Sequence, residues 1–246
     1  MNRDSSSVVC LLSSISILIL ACGVVFAQTT TVQTIDRLPP GELLNDVKEL
    51  PPQDVKLRPI YQKGISLTKL SEGWVPRLYN DAAHYCTIGY GHLICKTPCN
   101  GKEPAEFRNG ITKAKGEEIL VSDLASSQYA VMTDVQVPLS DGQFAALTDF
   151  VFNVGSVHFR SSTLLRVVNS KRLDQVPDEL RRWVMAGDKP LTALKTRRER
   201  EVDLFFEGLP KPKAIPQPGE ELSPIDIRKG EQSNTAARSQ QSILNR

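Results

Sequence analysis

No long lysine- or arginine-rich run occurs in this chain, and 30 basic residues against 28 acidic ones leave a net charge of only +2. Such a balance does not point to a phosphate backbone, so nucleic acid is not expected as a partner. Metal-ligand patterns are equally sparse. Cys95 and Cys99 form a C-x3-C spacing with Cys86 well upstream, which is not a usual zinc arrangement. Neither a metal nor any other cofactor is expected. Hydrophobic residues, by contrast, reach 40%, enough for a substantial core in a chain of 246 residues. That length suits one domain with tails or two small domains.

Much of the apolar material lies at the start. Arg3 provides a short positive beginning, Val8 to Val25 is interrupted only by small residues and cysteine, and Val25-Phe26-Ala27 ends in a cleavage-like site before Gln28. Residues 1–27 therefore read as a signal peptide or, if uncut, as a signal anchor, because about 20 apolar residues suffice to span a bilayer. Ile19-Leu20-Ala21-Cys22-Gly23 also loosely resembles a lipoprotein cleavage box. Each reading exports the remainder to the periplasm or the cell exterior, with membrane contact only through this segment.

Cysteine usage agrees with export. Cys10 and Cys22 lie in the apolar segment, which leaves Cys86, Cys95 and Cys99 for an oxidising compartment where disulfides persist. Cys95 and Cys99 are compact enough to pair within their own loop. A bridge from Cys86 to Cys95 or to Cys99 is equally allowed, since sequence does not fix connectivity.

Composition divides the rest. Residues 28–63 carry Pro39-Pro40 and Pro51-Pro52 and read as a flexible linker; residues 210–246, broken by Pro210, Pro212, Pro216, Pro218 and Pro224, read as a disordered tail. The compact domain is expected at 64–209. Ile65 to Ser71 suits a short helix. Leu78 to Gly91 combines turn residues Asn80-Asp81 with the strand formers Tyr85, Thr87 and Ile88, so a small hairpin sheet is expected. Thr112 can cap a helix running to about Met132. Ser140-Asp141-Gly142-Gln143 is a capping box, followed at helical spacing by Phe144, Leu147, Val151 and Val154. Shorter helices follow over Ser162 to Asn169 and from Pro177, and Leu191, Leu194, Val202 and Phe205 mark the last. The fold class is α+β, mainly α: a small β-hairpin lobe, then a larger helical lobe, with a cleft between them.

The chemistry concentrates in Glu72 to His92. Glu72 and Asp81 flank a predicted turn, and Thr87 follows on the next strand. Two carboxylates with different surroundings are the minimum equipment for breaking a glycosidic bond. A general acid must hold its proton until the leaving oxygen takes it, and a partly dry cleft beside Trp74 and Tyr79 favours that form. Asp81 and the Thr87 hydroxyl can hold a water. His92 is read as structural support rather than as a catalyst, and Trp183 as core rather than as a sugar platform.

The spacing Glu-x8-Asp-x5-Thr, followed by Ile88-Gly89-Tyr90-Gly91-His92, resembles the phage-type lysozymes of glycoside hydrolase family 24. Val137-Pro138-Leu139-Ser140, Phe150-Val151-Phe152-Asn153-Val154-Gly155, Ser162-Thr163-Leu164-Leu165, Trp183 and Arg197-Arg198 extend the likeness, in order, from about Gly64 to Gly208. The resemblance implies a lysozyme-like fold and an N-acetylmuramidase acting, as a monomer, on peptidoglycan. Glu72 would be the general acid, with Asp81 and Thr87 positioning the water. Inversion would follow, with carboxyls about 6.5–9.5 Å apart. Asn153 and Arg197 would be substrate-binding positions, Arg197 also pairing with the catalytic glutamate. Such a positive neighbour opposes the effect of burial, so the two must nearly balance. Cys86 and the segment Leu93 to Asn109 depart from the shared pattern. Two alternatives stay open: a non-catalytic glycan-binding or envelope-scaffold module, and a lytic transglycosylase, which needs the acid but no activated water.

Overall fold

A computed structural model of the chain describes residues 50–81, 84–213 and 222–231. The export segment 1–27 and most of the expected linker lie outside these residues. Among the described residues no helix is long and apolar enough to cross a membrane.

Helix α1 (Gln62–Glu72) ends where Gly73 enters the left-handed region at φ 76°, and Glu72 is its last residue. Three antiparallel strands follow: β1 (Val75–Asn80), β2 (Cys86–Gly89) and β3 (His92–Cys95), in the order β1-β2-β3. Tyr79 pairs with Thr87 and Asn80 with Cys86, while Thr87 pairs with Leu93 and Cys86 with Cys95. Because side chains alternate along a strand, Thr87 and Cys86 point to opposite faces of the central strand.

Helices α2 (Ala105–Arg108), α3 (Lys113–Asp123) and α4 (Ala125–Asp134) come next. The single helix expected from Thr112 to about Met132 is instead two, with Leu124 at the joint. Leu124 is buried with Ile65, Tyr90 and Leu120 in a small second core. The break lets α3 pack on β3 while α4 packs on α5 (Asp141–Val154).

Helix α5 is the axis of the larger lobe. Its capping box forms as expected: Ser140 Oγ accepts from the Gln143 amide at 3.2 Å, and Gln143 Oε1 accepts from the Ser140 amide at 2.9 Å. Nearly the whole helix is buried, and α1 and α9 (Thr192–Phe205) pack on it. Gly64 allows the close approach of α1, since a Cβ there would lie 2.6 Å from Ala145 Cβ. Helices α6 (Ser156–Ser161), α7 (Thr163–Asn169) and α8 (Val176–Arg181), with a 3-10 turn at Leu173–Gln175, complete the lobe. Trp183 is fully buried and meets Phe150 edge to face at 5.3 Å, so it belongs to the core. Burying each such side chain contributes about 1.5–3 kcal/mol.

Both expected flanks differ from the structure where they are described. Within the expected linker, Ile60 and Tyr61 pack against the core, and Arg58 donates to Asp141 at 2.6 Å and to the Leu139 carbonyl at 3.1 Å. Within the expected disordered tail, residues 222–231 lie against the helical lobe as a strap. The Met185 amide donates to the Ile225 carbonyl at 3.1 Å, and the Ile227 amide donates to the Met185 carbonyl at 3.0 Å. Ile225 and Ile227 join the core, and Glu231 accepts from Arg182 at 2.9 Å. The proline-rich composition is real. Ile225 and Ile227, at strand spacing, nevertheless contribute about 1.5–3 kcal/mol each by burial, and the backbone hydrogen bonds to Met185 and the Arg182–Glu231 contact add to this.

If the strap is docked in solution, Ile225→Ala and Ile227→Ala each lower stability by about 2 kcal/mol in urea denaturation. Unchanged midpoints for both would show that it is not.

Candidate active site

Glu72 reaches its position because α1 stops at Gly73, one residue before the chain turns into the sheet. Its side chain is 18% exposed. Oε1 accepts a hydrogen bond from Arg197 Nη1 at 2.7 Å. Oε2 faces the β2–β3 turn at Gly91, where a Cβ would come within 3.6 Å of it. Gly91 is also left-handed, at φ 80°, so the turn needs glycine for its backbone as well.

Asp81 follows β1, and its carboxylate closes the turn by accepting from the Tyr85 amide at 2.9 Å through Oδ1. Its Oδ2 lies 3.2 Å from the Thr87 hydroxyl, which lies equally close to the Tyr85 carbonyl. A hydroxyl that donates to Asp81 keeps its lone pairs for a water proton. Tyr79 is the strand partner of Thr87. Burial pushes the Tyr79 phenol above its ordinary value, and the negative charges of Asp81 and then Glu72 push it further. Both carboxyls thus act on one ring. Tyr79 is a site neighbour that its strand register with Thr87 could have revealed.

Beneath Glu72 lies a buried ionic network. Arg197, on α9, grips Asp149 of α5 with two hydrogen bonds of 2.9 Å, from Nε to Oδ2 and from Nη2 to Oδ1. Thr68 of α1 adds a third, donating its hydroxyl to Asp149 at 2.7 Å. Burial alone would raise the Asp149 carboxyl, but the charge and hydrogen bonds of Arg197 outweigh it and hold it below the usual carboxylate value. Burial likewise works against the Arg197 charge, and Asp149 and Glu72 more than restore it. Arg198 and Glu201 face each other at 3.0 Å, and Arg198 also donates to Asn153 Oδ1. Burial pushes Glu201 well above the ordinary carboxylate range; Arg198 opposes this, and the Asp149 charge adds to it.

Asn153 and Arg197, the expected substrate-binding positions, are both buried; Asn153 accepts from Arg198, and Arg197 donates to Glu72 and Asp149. Arg197 does meet Glu72, as the family likeness implied. The disulfide joins Cys86 to Cys99, and Cys95 remains a thiol, so the pairing of Cys95 with Cys99 within the loop is not the one formed. The Cys99 amide donates to Asn80 Oδ1 at 2.8 Å, which brings the loop back over β1 and its sulfur to Cys86. The bridge braces β2 from the face opposite Thr87. Cys86, Cys99 and Glu103 lie together, but two sulfurs bonded to each other are not metal ligands. His92 donates to or accepts from Asp123 at 2.8 Å and ties β3 to α3.

Comparison with known proteins places this geometry in context. A family model described as phage lysozyme matches residues 69–201. The endolysin of Bacillus phage PZA is 36% identical over 155 residues, and the chain spans 57% of its length. The endolysin of Salmonella phage P22 is also 36% identical, over 147 residues that cover 60% of this chain and 97% of that protein. A crystal structure of a P22 lysozyme mutant superimposes with a TM-score of 0.53 at 33% identity, covering 61% of this chain and 99% of that one.

Reducing the Cys86–Cys99 bridge, or Cys99→Ser, is expected to cost about 3 kcal/mol of stability, from the loop-closure entropy of its short loop. Cys95→Ser should leave the denaturation midpoint unchanged. A loss in Cys95→Ser equal to that in Cys99→Ser would contradict this pairing.

Proposed function

The chain belongs to the phage lysozyme family, and from that membership we propose that it is a peptidoglycan hydrolase cleaving the β-1,4 bond between N-acetylmuramic acid and N-acetylglucosamine. The observation that carries this reading is a pair of unlike carboxyls: Glu72 on a guanidinium, and Asp81 beside a threonine hydroxyl.

Their surroundings support a division of roles. Glu72 offers one oxygen to Arg197 as an acceptor, so a proton on the carboxyl resides on the other oxygen, Oε2. That oxygen delivers the proton to the glycosidic oxygen as the C–O bond breaks. Asp81 is tied to the strand backbone and to Thr87, and a water held by both attacks the anomeric carbon, passing its proton to Asp81. Attack from the face opposite the leaving group inverts the anomeric configuration. The expected export segment would carry the enzyme to the wall side of the membrane, where its substrate lies.

Digestion of purified sacculi tests the reaction and its outcome together. The parent protein should release muropeptides with reducing N-acetylmuramic ends, and Glu72→Gln should be slower by at least about 100-fold. Anhydro ends would identify a lytic transglycosylase instead. Equal digestion by the parent and Glu72→Gln would remove Glu72 from the mechanism.

A further inference from the structure

Arg197 poses an electrostatic difficulty for the proposed acid. A guanidinium in direct contact with a carboxyl favours the ionised form, typically lowering its pKa by about 1–3. Glu72 accepts from Arg197 at 2.7 Å, and Arg197 is only 5% exposed, so solvent screens little of that charge.

Asp149 supplies the answer. It sits on α5 and is fully buried. Its two oxygens take Arg197 Nε and Nη2 in a fork, which leaves Nη1 for Glu72. We propose that Asp149 is a positioning residue for the general acid: it pins the Arg197 fork and cancels its charge, so that Arg197 orients Glu72 without stripping its proton. This rests on the reading of Glu72 as the acid.

The other groups around the carboxyl are consistent with this division. From α1, Thr68 donates to Asp149 and steadies its negative charge. From α9, Arg198 and Glu201 form a second facing pair at 3.0 Å, with Glu201 3.7 Å from Arg197 Nε. From the sheet, Tyr79 feels the charges of both Glu72 and Asp81, and Gly91 faces Glu72 Oε2. Asp149 is the acid that contacts Arg197 through two aligned hydrogen bonds.

Asp149→Asn keeps the shape of the side chain and removes its charge. With Arg197 no longer compensated, ionised Glu72 is favoured. The alkaline limb of kcat/KM against pH, on soluble peptidoglycan fragments, is expected to move to lower pH by about one unit. A rate that falls equally at every pH, with the limb unmoved, would assign Asp149 a structural role only and overturn the proposal. Glu72→Gln serves as the separate control. If it matches the parent, the assignment of the acid fails; if it is inactive while the Asp149→Asn limb stays in place, only the positioning role fails. Carbon-13 titration of the Glu72 carboxyl in parent and Asp149→Asn proteins reads the same change without turnover. Should Asp149→Asn not fold, the parent alone decides. Asp149 ionised throughout the pH range in which Glu72 is protonated supports the proposal, and Asp149 protonated there overturns it.

Discussion

The structure turns on one guanidinium. Arg197 is buried at the point where α1, α5 and α9 meet, and it touches an acid on each of the other two helices: Glu72 at the end of α1 and Asp149 in the middle of α5. A planar fork with donors on fixed vectors suits this task better than a flexible ammonium would. Its position depends on Gly64, which lets α1 close on α5, and on the capping box that starts α5 at Ser140. Losing one partner of such a buried group is costly, because the remaining charge has no solvent to turn to.

The sheet lobe solves a different problem. Three short strands have little core of their own, and Asp81 and Thr87, the proposed water-holding pair, sit at their end. Two braces stiffen them: the Cys86–Cys99 bridge on the face opposite Thr87, and the His92–Asp123 contact that fixes β3 to α3. Trp74 and Tyr90 meet at a tilt with ring centroids 4.8 Å apart, and Trp74 is seated on Gly116 of α3. One proposed catalytic group thus comes from the rigid end of a helix. The others come from a braced ribbon, and substrate would lie between them.

Much of this was legible in the chain itself. Glu72, Asp81 and Thr87 are close in sequence, so their spacing carries the signal, and the capping box at Ser140 is likewise a local pattern. The buried network was not legible. Asp149 lies inside the apolar run Phe144 to Val154, where an acid looks like a break in the pattern rather than a partner for Arg197, 48 residues away. Arg197 and Glu201 at helical spacing read equally well as a solvent-exposed pair, and only burial tells the two apart. The cysteine pairing stayed open among three alternatives for the same reason: Asn80 draws Cys99 back over the sheet to Cys86, a tertiary contact. The strap at 222–231 left one trace, the strand-spaced Ile225 and Ile227, hidden among prolines. The break at Leu124 left none, because it serves packing on two different neighbours.

Asp149 takes two of the Arg197 donors in a fork, and the proposal built on that fork is that Glu72 can carry its proton on Oε2 while Arg197 orients it. Neutron diffraction from crystals at a pH where the enzyme is active would locate those protons directly. The account predicts a hydrogen on Glu72 Oε2, none on Oε1, and none on either oxygen of Asp149. A hydrogen on Asp149 with Glu72 bare would contradict it.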